Sequence, residues 1–359
     1  MAVALAGALC LAFSAILVRL ADVAPATAAA FRCLYALPLL ALIAWRERRG
    51  TGPRAPRGRL TGAVAGVFFG VDLVLWHHAI DLAGAGIATV LGNLQVLFVG
   101  LGAFVVFRER PSGRLLFMLP VVLAGVVLIS GIIGRRAYGT NPGLGVAFGL
   151  SASLTYAAYI LVLRGKGAGE TGRVAGPLFD ATVVAAVTAV ALGPVAGGID
   201  LRPSWPSAGW LLLLALTSQI IGWLLITWAM RLLTAVLTAT LLLVQPVGSV
   251  VLSAAMLGER PSAWQLAGCA IVLVGVLFAA RAPEKGDPAL ARAERGEHYG
   301  GDPVGHLFLW QFHLSAEQVV DPLEHHQAGE SGEFRVLGLP GPAGGRRHSC
   351  GDGLGEAEE

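Results

Sequence analysis

Charged residues are scarce in this sequence. Asp, Glu, Lys and Arg make up 14% of the 359 residues, whereas apolar residues make up 55% and the mean hydropathy is +0.69. A soluble protein of this size needs a polar face on most of its helices. The apolar runs here are about 20 residues long and leave few such faces. The composition therefore excludes a soluble globular fold and predicts an all-α integral membrane protein.

Several chemical motifs are also missing. No GxxxxGK[ST] phosphate-binding loop occurs, so we expect no ATP hydrolysis by this chain. The four cysteines form no CxxC pair and three of them lie in apolar runs, which indicates neither a disulfide framework nor a metal site. The net charge of +3 comes without the basic and aromatic interleaving of a nucleic-acid surface. We therefore expect no cofactor, no metal and no nucleic acid.

The apolar runs divide into ten candidate transmembrane helices. A chain that crosses hydrocarbon must satisfy its own backbone hydrogen bonds, so each run is expected to be helical. Lys and Arg are concentrated in one alternate set of loops, thirteen against five, which predicts that both termini are cytoplasmic. The predicted helices span residues 2–20, 26–45, 61–80, 84–107, 114–133, 143–163, 174–195, 209–230, 233–257 and 263–280.

One stretch of the chain occurs twice. Residues 79–126 and 229–276 align at a constant shift of 150 positions, and fourteen of the 48 aligned positions are identical. Apolar composition alone would not reproduce the polar tetrapeptide that the copies share, so the sequence indicates an internal duplication. The shared polar positions are Gln95 with Gln245, and Glu109-Arg110-Pro111-Ser112 with Glu259-Arg260-Pro261-Ser262.

Each copy of the duplication belongs to a set of five predicted helices. Because five is odd, the second set would enter the membrane upside down, as in transporters that hold their substrate between inverted repeats. The predicted architecture is ten transmembrane helices in two inverted five-helix repeats, residues 1–137 and 138–281. Residues 282–359 are polar and hold six of the eight histidines at irregular spacing. We expect a disordered cytoplasmic tail there, without a metal site.

Two stretches, residues 88–125 and 245–275, carry a recognisable pattern around the Glu-Arg-Pro-Ser run. They resemble the two EamA domains of the drug/metabolite transporter superfamily, and Arg32 stands where the second helix of that family usually carries an Arg. One departure is Val96 in the first copy, where the second copy has Pro246. The resemblance implies ten helices in the cell membrane, both termini in the cytoplasm, and export or exchange of small metabolites.

Three ionisable side chains are predicted to lie inside spans: Arg32, Asp72 and Asp180. Each costs roughly 2.5–3.5 kcal/mol to insert, so each needs a partner or a water-filled cavity. Arg32 and Asp180 would differ in height by on the order of 10 Å, whereas Asp72 lies near the depth of Arg32. We predict an Arg32–Asp72 pair beside a central cavity. The pair is either a static link between two helices, or Asp72 couples protons or binds a cationic amine.

Further polar and aromatic residues are predicted to line a substrate path. Asp72 and Trp76 are four positions apart and share a helix face, as do Gln219 and Trp223. Their mid-span positions favour a pocket over a lipid-facing aromatic belt. The two shared glutamines lie at helix centres, where amides either join helices or line a path. The predicted path consists of Arg32, Asp72, Trp76, Asn93, Gln95, Tyr156, Gln219, Trp223 and Gln245.

The duplicated tetrapeptide is predicted to lie at helix ends and outside the path. Glu109 closes the fourth helix at one membrane face, Glu259 closes the ninth at the other, and the following Pro stops each helix. Glu109, Arg110, Glu259 and Arg260 are therefore predicted to be helix-end clasps or gates.

These features favour a secondary transporter that exports or exchanges small metabolites by alternating access. A chamber with one acid, one Arg, amides and Trp suits amino acids or amphipathic amines. A non-transporting membrane receptor or scaffold is an alternative. A membrane-embedded lipid-processing enzyme is disfavoured because no nucleophile accompanies His77 and Asp81. The expected partners are a small-molecule substrate and the lipid bilayer, and the sequence does not fix the oligomeric state.

Overall fold

The computed structural model describes a chain that is helical, without strands, in residues 2–109, 111–133, 137–164, 175–222, 225 and 244–280. The predicted all-α class is confirmed in these ranges, and the predicted tail, 282–359, lies outside them. The elements are α1 Ala2–Ala21, α2 Pro25–Thr51, α3 Pro56–Ala83, α4 Ala85–Gly92, α5 Gln95–Phe107, α6 Gly113–Ile129, α7 Pro142–Arg164, α8 Ala175–Leu192, α9 Ser207–Leu214, the π-helical segment π1 Ala215–Gly222, α10 Val244–Leu257 and α11 Ala263–Ala280.

Several of these helices suit a lipid environment. In the described part of the chain, five are long and apolar enough to cross a membrane: α2, α3, α4 with α5, α7 and α8. Five shorter apolar helices occupy the positions of the other predicted spans. Large apolar side chains such as Val105 and Phe117 are exposed on outer faces, where lipid would cover them at no cost. The number of spans, ten, stays a prediction.

The fourth predicted helix, 84–107, is interrupted in its middle. α4 ends at Gly92 and α5 begins at Gln95, with a turn at Asn93 and Leu94 between them. The side-chain amide of Asn93 donates to the Thr89 carbonyl oxygen at 2.8 Å, so it satisfies a backbone acceptor beside the turn. Asn competes in this way with helical hydrogen bonds, which gives the interruption a local cause without any Pro.

The eighth predicted helix, 209–230, changes its winding. α9 passes directly into π1 at Ala215, and π1 is π-helical through Gly222. A π-helix is wider than an α-helix and is found mostly at functional sites. Here it contacts α2, so the residues of π1 reach the helix that carries Arg32.

Glycine and alanine bring α3 unusually close to α8. A Cβ atom at Gly66 would lie 2.5 Å from the Ala181 carbonyl oxygen, and one at Gly70 would lie 2.7 Å from that of Ala185. Small residues on facing helices allow such backbone contact in membranes, where van der Waals packing drives helix association. This contact fixes the position of α3, which carries Asp72 and Trp76.

Contacts between the first and the second half of the chain come in pairs. The two contacts of a pair join equivalent helices, with the halves interchanged. α1 packs on α10, and α7 packs on α4 and α5. Likewise α3 packs on α8, whereas α2 packs on α9 and π1. α6 packs on α11, which holds the same place in the second half. Among the described residues, each of these contacts therefore has a counterpart in which equivalent spans change places.

The Glu-Arg-Pro-Ser run ends one helix and starts the next. Arg108 and Gly258, which precede the two glutamates, both have left-handed φ angles, of 62° and 67°. At the other end of the first run, Ser112 caps α6 by accepting a hydrogen bond from the Leu115 amide at 3.2 Å. In the second run the Ser is part of a capping box with Gln265, because each side chain accepts from the other residue's amide.

Candidate functional site

Arg32 joins three elements at one buried point. Its side chain lies on α2 and the residue is 9% exposed. Nη2 donates to the Ser218 hydroxyl at 3.2 Å and to Gln219 Oε1 at 2.9 Å, both on π1. The guanidinium also lies 5.6 Å from the centre of the Trp76 ring on α3, within cation–π distance. Arg32 therefore contacts two other predicted site residues, Trp76 and Gln219.

Asp72 lies beside this cluster without joining it. The residue is 8% exposed, and its carboxyl group forms no hydrogen bond or ion pair with the described residues. The predicted direct Arg32–Asp72 ion pair is therefore wrong for this conformation. The physical reason is that the Arg32 guanidinium donates its hydrogen bonds to Ser218 and Gln219 instead. Arg32 and Asp72 are still near enough for their charges to attract each other.

The cluster has unused hydrogen-bonding capacity. The Nε atom of Arg32 is buried and has no hydrogen-bond partner in the described structure. Asp72 adds an unpaired carboxyl group a short distance away. Buried charges in proteins are normally paired and hydrogen-bonded, because leaving them unpaired costs free energy. A polar ligand with both a donor and an acceptor could satisfy both groups.

Aromatic rings form one side of the site. Tyr156 on α7 lies 6.3 Å from Phe69 on α3, edge to face, and Phe69 stacks on Tyr159 at 5.1 Å. The Tyr156 hydroxyl interacts electrostatically with both Asp72 and Arg32. The predicted site residue Tyr156 therefore lies with the cluster and carries a polar group toward it.

The turn between α4 and α5 lies next to the cluster. A Cβ atom at Gly92 would be 3.8 Å from Trp76 Nε1, so the indole reaches the end of α4. Asn93 follows at once, whereas Gln95 is the first residue of α5 and is partly buried. Gln245, at the start of α10, is also partly buried and has no hydrogen bond to Arg32. The predicted residue Trp223 lies outside the described residues.

The two duplicated glutamates differ in their contacts. Glu259 is 2% exposed and accepts hydrogen bonds from the amides of Ala85, at 2.7 Å, and Gly86, at 3.3 Å, at the start of α4. Tyr138 lies close by, against Gly84. Burial, and after it the charge of Glu259, raises the pKa of Tyr138 above its ordinary value. Glu259 therefore ties the end of α10 to the start of α4.

Glu109 instead forms a two-bond ion pair with Arg164, at the end of α7. The two distances are 2.8 Å and 2.5 Å, and both side chains are 21% exposed. Arg164 also lies 4.9 Å from the centre of the Phe107 ring. Arg260 is exposed, and Arg110 lies outside the described residues.

Asp180, the third predicted intramembrane charge, belongs to a different place. Its carboxylate pairs with Arg54 at 2.5 Å, and Arg54 also donates to the Gly58 carbonyl oxygen at 3.0 Å. Arg54 lies just beyond the C-terminal end of α2, and Asp180 lies near the start of α8. The prediction that Asp180 does not pair with Arg32 agrees with this geometry.

A model of the EamA-like transporter family matches residues 1–131 and 143–281. The chain belongs to this family. The resemblance predicted from the sequence is therefore confirmed, and so is the two-repeat architecture. As an EamA-like protein the chain is a multi-pass membrane protein of a family of small-molecule transporters, which are not enzymes in general.

Comparison with solved structures agrees on the fold. A structure described as "Crystal structure of protein" superposes on this EamA-like chain with a TM-score of 0.51 at 17% sequence identity. The match covers 77% of this chain and 94% of the other. At this identity the similarity concerns the fold alone. No curated protein shows significant sequence similarity to the chain.

Sequence reasoning missed two contributors to the site of this EamA-like protein. Ser218 binds Arg32, and its position next to Gln219 was the only signal available. Phe69 connects the tyrosines to α3 and is one helical turn before Asp72, but an apolar ring gives no signal in an apolar helix. Within the described ranges, no three His, Cys, Asp or Glu side chains lie together in a way that would hold a metal ion.

Proposed function

We propose that this protein is a secondary transporter that exports or exchanges small zwitterionic or cationic metabolites, amino acids or amphipathic amines, by alternating access. The substrate path passes the cluster of Arg32, Asp72, Trp76, Tyr156 and Gln219. The supporting observation is a buried guanidinium held on one edge by π1, with its Nε atom unpaired and an unpaired carboxyl group nearby.

The chemistry of the cluster suits a ligand with charges of both signs. A substrate carboxylate would accept from the free edge of Arg32, and a substrate ammonium would donate to Asp72. Trp76 and Tyr156 offer aromatic surface to an apolar side chain or to the cation. An amine without a carboxylate would use Asp72 and the aromatic rings only, so both ligand classes share the acid.

Exchanged contacts between the halves support the inverted arrangement of the repeats. Equivalent spans change places in these contacts, which is the pattern that a pseudo-two-fold axis between the halves would produce. Such an axis lets the two halves swap conformations, which opens the path to one side and then to the other. The different environments of Glu109 and Glu259 fit one of these two conformations.

The charge pattern supports an orientation with both termini in the cytoplasm and a location in the cell membrane. Six arginines lie between the apolar part of α2 and that of α3, a short loop region where such a bias sets topology. The predicted residue ranges of the repeats, 1–137 and 138–281, and the alternating-access mechanism are part of the same proposal.

Counterflow in proteoliposomes tests the proposal. The purified full chain is reconstituted with unlabelled amino acids or amines inside, and uptake of the labelled compound is followed. We expect Asp72→Asn to reduce counterflow of both classes at least tenfold, because an ammonium loses its only carboxylate. Arg32→Lys should reduce counterflow of amino acids at least tenfold, because an ammonium cannot bind Ser218, Gln219 and a substrate carboxylate as the planar guanidinium does. Counterflow of amines without a carboxylate should change little.

Asp81→Asn is the matched control, since Asp81 lies on the same helix and its pair with Arg19 is exposed at 41% and 40%. A surface pair of this kind contributes about 0–1 kcal/mol, so the variant should transport normally. If Asp72→Asn keeps counterflow but loses uptake driven by a pH gradient, Asp72 couples protons and does not bind substrate. Silence of the folded wild type across the whole panel would overturn the proposal and favour a receptor or scaffold.

A further inference from the structure

A cavity lies far from the Arg32 cluster, at one end of the helices. It has a volume of about 250 Å³ and is enclosed by the C-terminal end of α2, the start of α3 and the start of α8. Along α2, its residue Arg48 lies sixteen positions beyond Arg32, which corresponds to about 24 Å at 1.5 Å per residue. The cavity therefore cannot belong to the proposed substrate site.

The framework of this cavity is held by charges that already have partners. Arg54 pairs with Asp180 at 2.5 Å. Glu47 accepts hydrogen bonds from the amides of Ala175, at 3.0 Å, and Gly176, at 2.7 Å, at the start of α8. These contacts join the elements around the cavity. Asp180 is paired with a guanidinium group, and Glu47 accepts from two backbone amides.

Two further arginines line the cavity from different elements. Arg48 extends from α2 and Arg59 from α3, and both are exposed. Within the described residues, neither side chain forms a hydrogen bond or an ion pair. The cavity therefore carries excess positive charge and two guanidinium groups that can bind the same anion from two sides.

The other part of the lining is apolar. Ala41, Ala44 and Trp45 precede Arg48 on α2, and Phe179 faces them from α8. Trp45 is exposed, and Arg49 lies 3.7 Å from the centre of its ring. Trp beside Arg is typical of the boundary between hydrocarbon and headgroups. The cavity is thus apolar toward the middle of α2 and basic toward its end.

We propose that this cavity binds the headgroup of an anionic phospholipid, with the phosphate between Arg48 and Arg59 and the upper acyl region against Ala44 and Phe179. Basic pockets between transmembrane helices bind anionic lipids by this combination of charge and apolar contact. A free phosphate ion would use the basic part only and would leave the apolar part empty. The apolar lining is therefore the argument for a lipid and against a soluble anion.

Lipid binding to the full chain in a neutral detergent tests this inference. Phosphatidylglycerol, phosphatidylcholine or inorganic phosphate is titrated in, and bound lipid is counted by native mass spectrometry while the thermal unfolding midpoint is recorded. The pocket variant is Arg48→Gln with Arg59→Gln. The matched control is Arg46→Gln with Arg57→Gln, which removes the same charge from the same region without touching the cavity lining.

We expect phosphatidylglycerol to bind and to raise the midpoint for the wild type and the control. The pocket variant should need at least tenfold more lipid, since the loss of even one charge-assisted hydrogen bond weakens binding by roughly that factor. If the pocket variant does not fold, Ala44→Phe fills the apolar part and should give the same loss. Equal losses in both double variants, equal binding of phosphatidylcholine, or the same effect from inorganic phosphate would each overturn the proposal.

Discussion

Glu259→Gln is expected to destabilise the protein more than Glu109→Gln, although the two residues are equivalent in the duplication. Glu259 is 2% exposed and its two oxygens bind two backbone amides at the start of α4. A Gln keeps one carbonyl oxygen for one amide and turns an NH2 group toward the other. One hydrogen bond to a charged group is lost and one buried donor is left unpaired, which costs about 1.5–3 kcal/mol.

The same change at Glu109 should cost less. Its pair with Arg164 is partly exposed, at 21% for each side chain, so water screens the attraction and solvates the groups once they separate. Ion pairs of this kind contribute about 0–1 kcal/mol, and the two-bond geometry places this one near the top of that range. The expected difference between the two variants is therefore about 0.5–2 kcal/mol.

Equilibrium unfolding of the full chain in mixed micelles measures both values. Arg164→Gln serves as the control, because it breaks the same ion pair as Glu109→Gln; it should cost as much or up to about 1 kcal/mol more, since its contact with the Phe107 ring is also lost. Equal destabilisation by Glu259→Gln and Glu109→Gln, or a larger loss at Glu109, would refute the reasoning that burial and the α4 amides set the importance of Glu259.

Three more predictions follow from backbone contacts and are measured by the same unfolding assay. Gly66→Ala should cost about 1–3 kcal/mol, because its Cβ would meet a carbonyl oxygen of α8 at 2.5 Å; Gly50→Ala, with nothing within 4 Å, should be neutral or slightly stabilising. Arg108→Gly should stabilise by up to about 1 kcal/mol by relieving a left-handed φ of 62°, whereas Gly258→Ala should cost about 1 kcal/mol. Gln265→Ala should cost about 2–4 kcal/mol, since this fully buried amide bonds the loop before α7 and the end of α6.

Composition predicted the helices well because membrane helices are a local property of the sequence. The predicted span 26–45 falls within α2 and the predicted span 143–163 falls within α7, since a long apolar run has only one way to satisfy its backbone in lipid. The duplication was equally visible, because the polar tetrapeptide recurs at a fixed shift. The ends were less well predicted: α3 begins at Pro56, five residues before the apolar run.

The partner of Arg32 could not be predicted in the same way. Depth along the membrane normal follows from counting residues, and it correctly separated Arg32 from Asp180. The direction in which a side chain points around its helix depends on packing and on local winding. Here π1 places Ser218 and Gln219 against α2, so Arg32 binds them and leaves Asp72 unpaired. Neither the π-helical winding nor the turn at Asn93 has a periodicity that a sequence pattern would reveal.

The duplicated tetrapeptide shows how one sequence serves two purposes. Glu109 and Glu259 have identical neighbours on their C-terminal sides, so local propensity cannot explain why one is partly exposed and the other buried. The difference must come from what each helix end faces: the start of α4 for Glu259 and the end of α7 for Glu109. Under the alternating-access mechanism proposed above, equivalent residues of the two halves have different environments in any one state. We therefore propose that the Glu259 clasp belongs to the closed end of the path and releases when that end opens.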